Sequence, residues 1–338
     1  MCIRDRIRSA QILERDGDVE QIKGLVDEAM KAGTERNLGH DYLEDFEERY
    51  SETARITTAT PWDIINELMQ GGLGQGELGV VVAPAGIGKS WVLSAMGAYA
   101  ISQGKNVVHY TLELNESYVG LRYDSIFSGV EGQNLMYHKE EVLEKIEKVE
   151  GELTIKYYPT RSCTVNTLSA HIKKATSFGA NVDMILVDYA DIMRDVGKST
   201  EMRHQLGNIY EDLRGLAGEM QIPIWTASQA NRSALDEDVI DASKVAESYA
   251  KVMTADFVIS VSRKIEDKIA NTGRFHVIKN RFGPDGLTYP AKINTNIGKI
   301  ELFESTSTQG KEVQSKIKSR DNQTKQMLSA RYDDLMNE

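Results

Sequence analysis

Cysteine is nearly absent from this sequence. Cys2 and Cys163 are the two in 338 residues, which leaves no disulfide framework and no thiolate cluster to read, and points to a reducing compartment. No apolar run approaches the ~20 residues of a membrane span. The Arg-rich start lacks the apolar core of a secretory signal. Basic charge is also in short supply: 40 Lys and Arg face 51 Asp and Glu, a formal net charge of −11. That excludes a uniformly basic nucleic-acid coat but not a groove lined locally with cations. No internal repeat is visible. These absences describe a cytoplasmic protein with no membrane partner, built as about two domains or as one large α/β domain with extensions.

What the sequence does have is Ala83-Pro84-Ala85-Gly86-Ile87-Gly88-Lys89-Ser90. An apolar run, Leu78 to Val82, precedes it and reads as a buried strand. A periodic segment follows (Trp91, Leu93, Met96, Ala100) and reads as a helix. A phosphate loop requires that strand–loop–helix setting. Its glycines let backbone N–H groups turn toward phosphate oxygens, and the helix N-terminus adds partial positive charge. Residues 83–91 therefore form the candidate nucleotide cradle. Lys89 would reach the β- and γ-phosphates and the Ser90 hydroxyl would ligate Mg²⁺. The bland alternative is a Gly-rich turn with a chance Gly-Lys-Ser, and one departure from the usual pattern is Ala83 in place of its first glycine.

Downstream, strands are expected at 78–83, 106–112, 153–158, 183–188, 222–227 and 256–261, alternating with helices at 89–103, 116–128, 139–150, 164–178 and 199–220. Apolar strands alternating with amphipathic helices predict a mostly parallel sheet covered on both faces. Segments 274–280, 287–294 and 298–303 alternate in polarity and predict antiparallel edge strands. Ahead of the core, residues 1–33 have a helical pattern, with residues 1–6 left out as a candidate sequencing scar. A second helix, Asp41 to Glu52, carries Tyr42, Leu43, Phe46 and Tyr50 on one face. A Thr-rich linker and a short helix, Trp62 to Met69, lead to the core. Residues 305–338 are polar and predict a mobile tail with one weak helix.

Four further groups belong with the phosphate loop. Asp188 ends the apolar strand expected at 183–188, where an acid would hold the Mg²⁺ shell through water or Ser90; its alternative is capping of the next element, and Asp191 is a weaker candidate acid. Glu113 follows the strand Tyr110-Thr111-Leu112, placed to orient and deprotonate an attacking water. Capping of the 116–128 helix falls better to Asn115 or Ser117. Gln229 ends the strand Ile224 to Ser228 and could sense the γ-phosphate, passing the change to the long loop Ala230–Val245, which holds Arg232 and Lys244. Lys279 and Arg281 flank Asn280 at the end of a strand. They are candidate fingers for a neighbouring subunit's γ-phosphate.

These motifs, in this order, resemble the RecA-core hexameric helicases of the DnaB type (superfamily 4), most similarly the replicative helicases of T-even-like tailed phages. The matching residues are Gly39 to Tyr50, Ala83 to Ser90, Thr111-Leu112-Glu113, Leu186 to Tyr189, Ala227-Ser228-Gln229, Ala246-Glu247-Ser248 with Thr254 to Phe257, and Lys279 to Gly283. The alanine at the first loop position also occurs in that family. The resemblance spans roughly residues 39–303. It implies a RecA-like P-loop NTPase core and four segments: an N-terminal helical remnant (1–38), a linker helix and connector docking on the next subunit (39–70), the ATPase/helicase domain (71–304) and the tail (305–338). It implies a homohexameric ring with ATP and Mg²⁺ at each interface. One subunit would supply Lys89, Ser90, Glu113, Asp188 and Gln229, and its neighbour Lys279 and Arg281. Single-stranded or forked DNA would pass through the channel 5′→3′.

Where DnaB-type proteins carry an Arg-Glu-Ser-Gly channel block, this chain has Ala246, Glu247, Ser248 and Tyr249. Without the arginine, Lys244, Lys251, Arg232 and backbone amides are the remaining candidates for sequence-independent phosphate contact. The family's N-terminal collar, which meets primase, needs more residues than precede the linker, so the expectation is a truncated frame or an absent collar; a helicase loader is a further expected partner. Two other functions stay open on the residues alone: a RecA-type recombinase filament, and a RecA-like ATPase acting on protein.

Overall fold

The structure is a computed structural model and describes residues 41–44, 46–51, 55–197, 201–235, 237–245 and 250–317. Contacts divide the chain into two units, parted between Arg55 and Ile56. The first unit contains helix α1 (Phe46–Ser51). Asp41 starts the turn before it: Oδ1 accepts the backbone N–H groups of Leu43 and Glu44 at 2.9 Å each, which holds its carboxyl below the usual range. The Phe46 and Tyr50 rings, one helical turn apart, meet at 4.8 Å, and both side chains are exposed. The expected helix over residues 1–33 lies outside the described residues.

The second unit holds the central sheet. Strands β1 (Thr57–Thr58) and β2 (Leu73–Gly74) pair antiparallel and bracket the short helix α2 (Asp63–Leu68). The connector is thereby packed into this unit, with Trp62 buried and its indole N–H bonded to the Ile300 carbonyl at 3.0 Å.

Next come β3 (Leu78–Ala83), α3 (Lys89–Ser102), β4 (Val107–Thr111), α4 (Glu116–Ser128), α5 (Lys139–Ile146), β5 (Leu153–Tyr157), α6 (Val165–Ser177) and β6 (Met184–Asp188). They are followed by α7 (Met202–Met220), β7 (Ile224–Gln229), α8 (Ala250–Thr254), β8 (Phe257–Ser262), α9 (Ile265–Ala270), β9 (Thr272–Asn280), β10 (Thr288–Asn294) and β11 (Lys299–Leu302). The strands and helices expected between residues 78 and 303 are all found, with ends within four residues of the expected bounds; β7 and β9 each run two residues beyond them, to Gln229 and back to Thr272, and α1 starts at Phe46 rather than Asp41. Asn115 caps α4, accepting the Tyr118 N–H at 2.9 Å.

Among the described residues, nine strands form one sheet in the order β11-β10-β9-β8-β3-β7-β6-β4-β5. From β8 to β5 the pairing is parallel; β9, β10 and β11 run antiparallel at the other edge. The parallel strands are apolar throughout because helices cover both faces. One face packs Val81, Leu93, Met96, Leu186 and Trp225 beneath α3 and α4. The other packs Leu78, Val80, Ile185, Tyr210 and Leu213 beneath α6 and α7. The approach is close enough that a Cβ on Gly79 would lie 2.4 Å from the Trp225 ring, so only glycine fits that strand position.

The tail begins inside the fold: residues 308–317 are helical, with Val313 and Ile317 buried, an i, i+4 pair that docks this segment. The one helix expected within the 305–338 tail is found at its start, and it is docked up to residue 317. Among the described residues no helix is long and apolar enough to cross a membrane.

Candidate nucleotide site

Strand β3 is central, with β7 on one side and β8 on the other. The chain leaves β3 toward the β4 side and returns to the opposite side only at β8. The carboxyl end of β3 is thus the switch point of an open α/β sheet, where a ligand crevice is expected. A cavity of about 400 Å³ opens there, lined among others by Gly86, Lys89, Glu113, Arg122, Tyr189 and Gln229. Ala85, Gly88, Ser90 and Trp91 line it too. Of the other cradle residues, Ala83, Pro84 and Ile87 are buried and anchor the loop. Gly86 (φ 72°) and Gly88 (φ 112°) adopt left-handed backbone that an L side chain rarely takes, and Gly88 is the N-cap of α3. The α3 N-terminus therefore points its free N–H groups into the crevice.

Burial pulls the Lys89 ammonium below its usual pKa, opposed by the negative charges of Asp188, Glu113 and Asp191. Its ammonium also lies 5.4 Å above the Tyr189 ring. Asp188 is almost wholly buried. Burial pushes its carboxyl up, while a hydrogen bond from Ser90 and the charges of Arg122 and Lys89 favour the ionised form. Its Oδ1 is buried without a hydrogen-bond partner. A buried carboxylate oxygen left open beside a serine hydroxyl is the donor set a hydrated divalent cation takes. Mg²⁺ fits these residues.

Glu113 sits two residues beyond β4 rather than at its end. The Thr111 side chain closes that turn, donating to the Leu114 carbonyl at 2.7 Å and accepting the Leu114 N–H at 3.2 Å. The carboxylate is exposed in the crevice and free of the capping duty that Asn115 performs. Gln229 ends β7 directly beside Ala83 of β3. Its backbone N–H donates to Asp191 Oδ2 at 2.9 Å. Asp191, the weaker acid candidate, is thus a clamp under β7 instead of a metal ligand.

Arg122 was not evident from the sequence. It reaches the crevice from α4, stacks over the Trp91 ring at 5.2 Å, and faces Asp188 and Glu113. Burial lowers its pKa and its Nη1 has no partner, so it presents an unsatisfied cation where phosphate charge would lie. Arg263, Lys268 and Thr295 complete the far wall. The only sequence signal for Arg122 is its position nine residues after Glu113, two turns into a helix that folds back.

Lys279 and Arg281 do not join this crevice. Strand β9 runs antiparallel to β8, with Asn280 opposite Phe257, which lies beside Gly79 at the foot of β3. At about 3.3 Å per residue, that foot is roughly 13 Å from Ala83. The pair therefore sits at the other end of the sheet, beyond reach of its own phosphate loop. Arg281, more than half exposed, is ion-paired to the buried Asp256, whose other oxygen takes Arg214 at 2.6 Å and the Leu78 N–H at 2.9 Å. Lys279 donates to the carbonyls of Val252 (3.0 Å) and Met253 (2.5 Å) at the end of α8. Burial, then the neighbouring Arg281 charge, lowers its pKa.

Of the expected DNA contacts, Lys251 is corrected: it is 1% exposed and bound to Asp191 at 2.9 Å, so it faces the protein interior. Lys244 is ion-paired with Glu237 at 2.7 Å. Glu247, Ser248, Tyr249 and the Arg232 side chain lie outside the described residues. The loop from Ala230 to Val245 is no loose excursion. Ala230 and Val245 bridge, Ile240 is buried, and Ser260 and Ser262 of β8 strap the loop by hydroxyls donated to the Ile240 and Asp238 carbonyls at 2.6 Å each.

Comparison with known proteins points the same way. The model of the DnaB-like helicase C-terminal domain matches residues 59–298. The chain is 29% identical over 288 residues to the DnaB-like replicative helicase of Enterobacteria phage T4, covering 79% of this chain and 59% of that protein. It is 26% identical over 258 residues to the replicative DNA helicase DnaB of Geobacillus stearothermophilus, covering 68% and 56%. The chain thus spans less than two thirds of the length of either relative. Its fold is similar to that of a DnaB-like replicative helicase solved in a study of its interactions with primase (TM-score 0.67, 16% identity, 89% of this chain and 76% of that one). It is also similar to a second solved structure, an isolated ATPase domain (TM-score 0.65, 16% identity, 82% and 99%). Since the family model matches well over half of the 338 residues, this chain belongs to the DnaB-like helicase C-terminal domain family.

Proposed function

We propose that this chain is an ATP-driven DNA motor, working as a ring of six that tracks single-stranded DNA 5′→3′ and unwinds duplex at a replication fork. The observation that carries the reading is the separation of its charged groups. The phosphate crevice lies at one end of the sheet and the Lys279–Arg281 pair at the other, with Arg281 more than half exposed and both out of reach of their own crevice. Such a pair serves chemistry only at another copy's crevice, which fits an interfacial active site.

In that site Lys89, the loop N–H groups and Arg122 would bind the phosphates, with Ser90 and Asp188 holding Mg²⁺. The cation would neutralise charge on the phosphate oxygens. Glu113 would take the proton of the attacking water, Gln229 would contact the γ-phosphate, and the neighbour's Arg281 and Lys279 would stabilise the charge that develops in the transition state. The exposed aromatics Phe46 and Tyr50 of α1, with Tyr42 in the turn before it, would dock on the next copy. A fitting surface is the exposed apolar set Tyr118, Leu121, Met136, Tyr137 and Leu143 on α4, α5 and the turn between them. DNA contact by Arg232, Lys244, Glu247, Ser248 and Tyr249, a primase and loader as partners, and action in the cytoplasm complete the proposal.

The test is strand displacement from a forked duplex with a 5′ tail. It is expected to need ATP and Mg²⁺ and to vanish in Lys89→Ala. A nucleotide-loaded protein that stays a single chain and hydrolyses ATP at full rate without polynucleotide overturns the proposal.

A further inference from the structure

A lysine buried to 1% exposure is unusual, and Lys251 is aimed at one place. Its ammonium lies 2.9 Å from Asp191 Oδ1, 3.2 Å from the Ser228 hydroxyl and 5.5 Å above the Tyr210 ring. Asp191 is crowded with donors. Oδ2 accepts the Gln229 N–H at 2.9 Å, Oδ1 accepts the Tyr210 hydroxyl at 2.8 Å, and the Ser228 hydroxyl lies 3.3 Å from Oδ2. A buried ion pair is poor evidence of stability, because desolvation offsets its attraction and an apolar side chain of like size would serve as well. What such a pair does supply is position.

The other side of α8 is held as well, by Lys279 on the carbonyls of Val252 and Met253. This five-residue helix therefore bridges the two ends of the sheet. Lys251 reaches up to the crevice floor under Gln229, and the last carbonyls reach down to the finger strand.

We infer that Lys251 is a positioning residue: acting through Asp191, it locks α8 to the last residue of β7, so that α8 follows the nucleotide state of the crevice. Each Asp191 oxygen already carries more than one donor, so a shift of the Gln229 backbone on nucleotide binding displaces the carboxylate and its lysine together. The proposed function enters only in naming Gln229 as the γ-phosphate contact.

The experiment is hydrogen exchange of the backbone amides of residues 250–256, with and without a non-hydrolysable ATP analogue and Mg²⁺. In the parent protein the analogue is expected to slow exchange there by about threefold or more. In Lys251→Met that response is expected to vanish, with analogue affinity held within about twofold. Lys251→Met strands a buried carboxylate and could unfold. The double variant Asp191→Asn/Lys251→Met removes that charge and is expected to recover the parental melting temperature while α8 stays unresponsive to the analogue. Recovery of the analogue response in the folded double variant would make the lysine a structural filler, and no response in the parent would refute the lock outright. A parent that shows the exchange response but never unwinds DNA would sink the proposed function and leave the lock standing.

Discussion

The two ends of the central sheet are built differently. At the carboxyl end of β3, the loop, α3 and the tips of β6 and β7 converge on one crevice in which Asp188 Oδ1 and Arg122 Nη1 lack hydrogen-bond partners among the described residues. At the amino end, every named cation has an internal partner: Arg281 and Arg214 share Asp256, and Lys279 holds α8. One end carries unmet polar demand and the other carries cations with exchangeable partners, more than half exposed in the case of Arg281. A ligand satisfies the first end. In the proposed function the second would act by exchanging its partners for charge supplied by another copy.

That contrast can be broken from either side. The largest effect is expected from Lys89→Ala, which removes the cation at the crevice and should cut ATP turnover by at least about a thousandfold, with weakened nucleotide binding in a fluorescence titration. Next is Arg281→Ala, expected to lower turnover by about a thousandfold while nucleotide affinity stays within about twofold, since the guanidinium is far from its own crevice. Equal loss of binding in both variants would erase the distinction between the two ends.

Asp256→Ala sharpens it. Removing that carboxylate leaves the Leu78 N–H and two arginines without their acceptor and is expected to cost about 3 kcal/mol in urea unfolding, with a smaller fall in turnover than Arg281→Ala. The smallest effect concerns pH. His109 is fully buried beneath α4 with Nδ1 2.9 Å from the Tyr123 hydroxyl, and burial, reinforced by the Arg122 charge, pulls its pKa down to about 3 from 6.5. The unfolded chain takes up that proton first. The neutral imidazole's stability contribution is therefore present above pH 6.5 and lost as pH falls toward 3, at up to about 1.4 kcal/mol per pH unit. Denaturant titrations at pH 7 and pH 5 should show a shallower loss in His109→Gln.

Much of the crevice was legible from the chain because its parts are contiguous or terminal. The phosphate loop is one run, Asp188 and Gln229 end apolar strands, and strand ends in a parallel sheet face the ligand side. Arg122 was invisible for the opposite reason: it enters the site only because α4 folds back over β4. Lys251 was read as a candidate phosphate contact because the channel block lacks its arginine and a nearby charged side chain is usually exposed; its burial is a tertiary fact, set by Asp191 sixty positions upstream. The polar composition after residue 305 concealed Val313 and Ile317, whose four-residue spacing is enough to dock one helical face.

The central claim is that the crevice of one copy is completed by the cations of another. Its most direct measurement is ATP turnover per chain as a function of protein concentration, for the parent and for Arg281→Ala. The account expects parental turnover per chain to rise with concentration to a plateau as interfaces form, and Arg281→Ala to stay near zero throughout despite binding nucleotide. Turnover per chain that is flat in concentration and equal in the two proteins would contradict it.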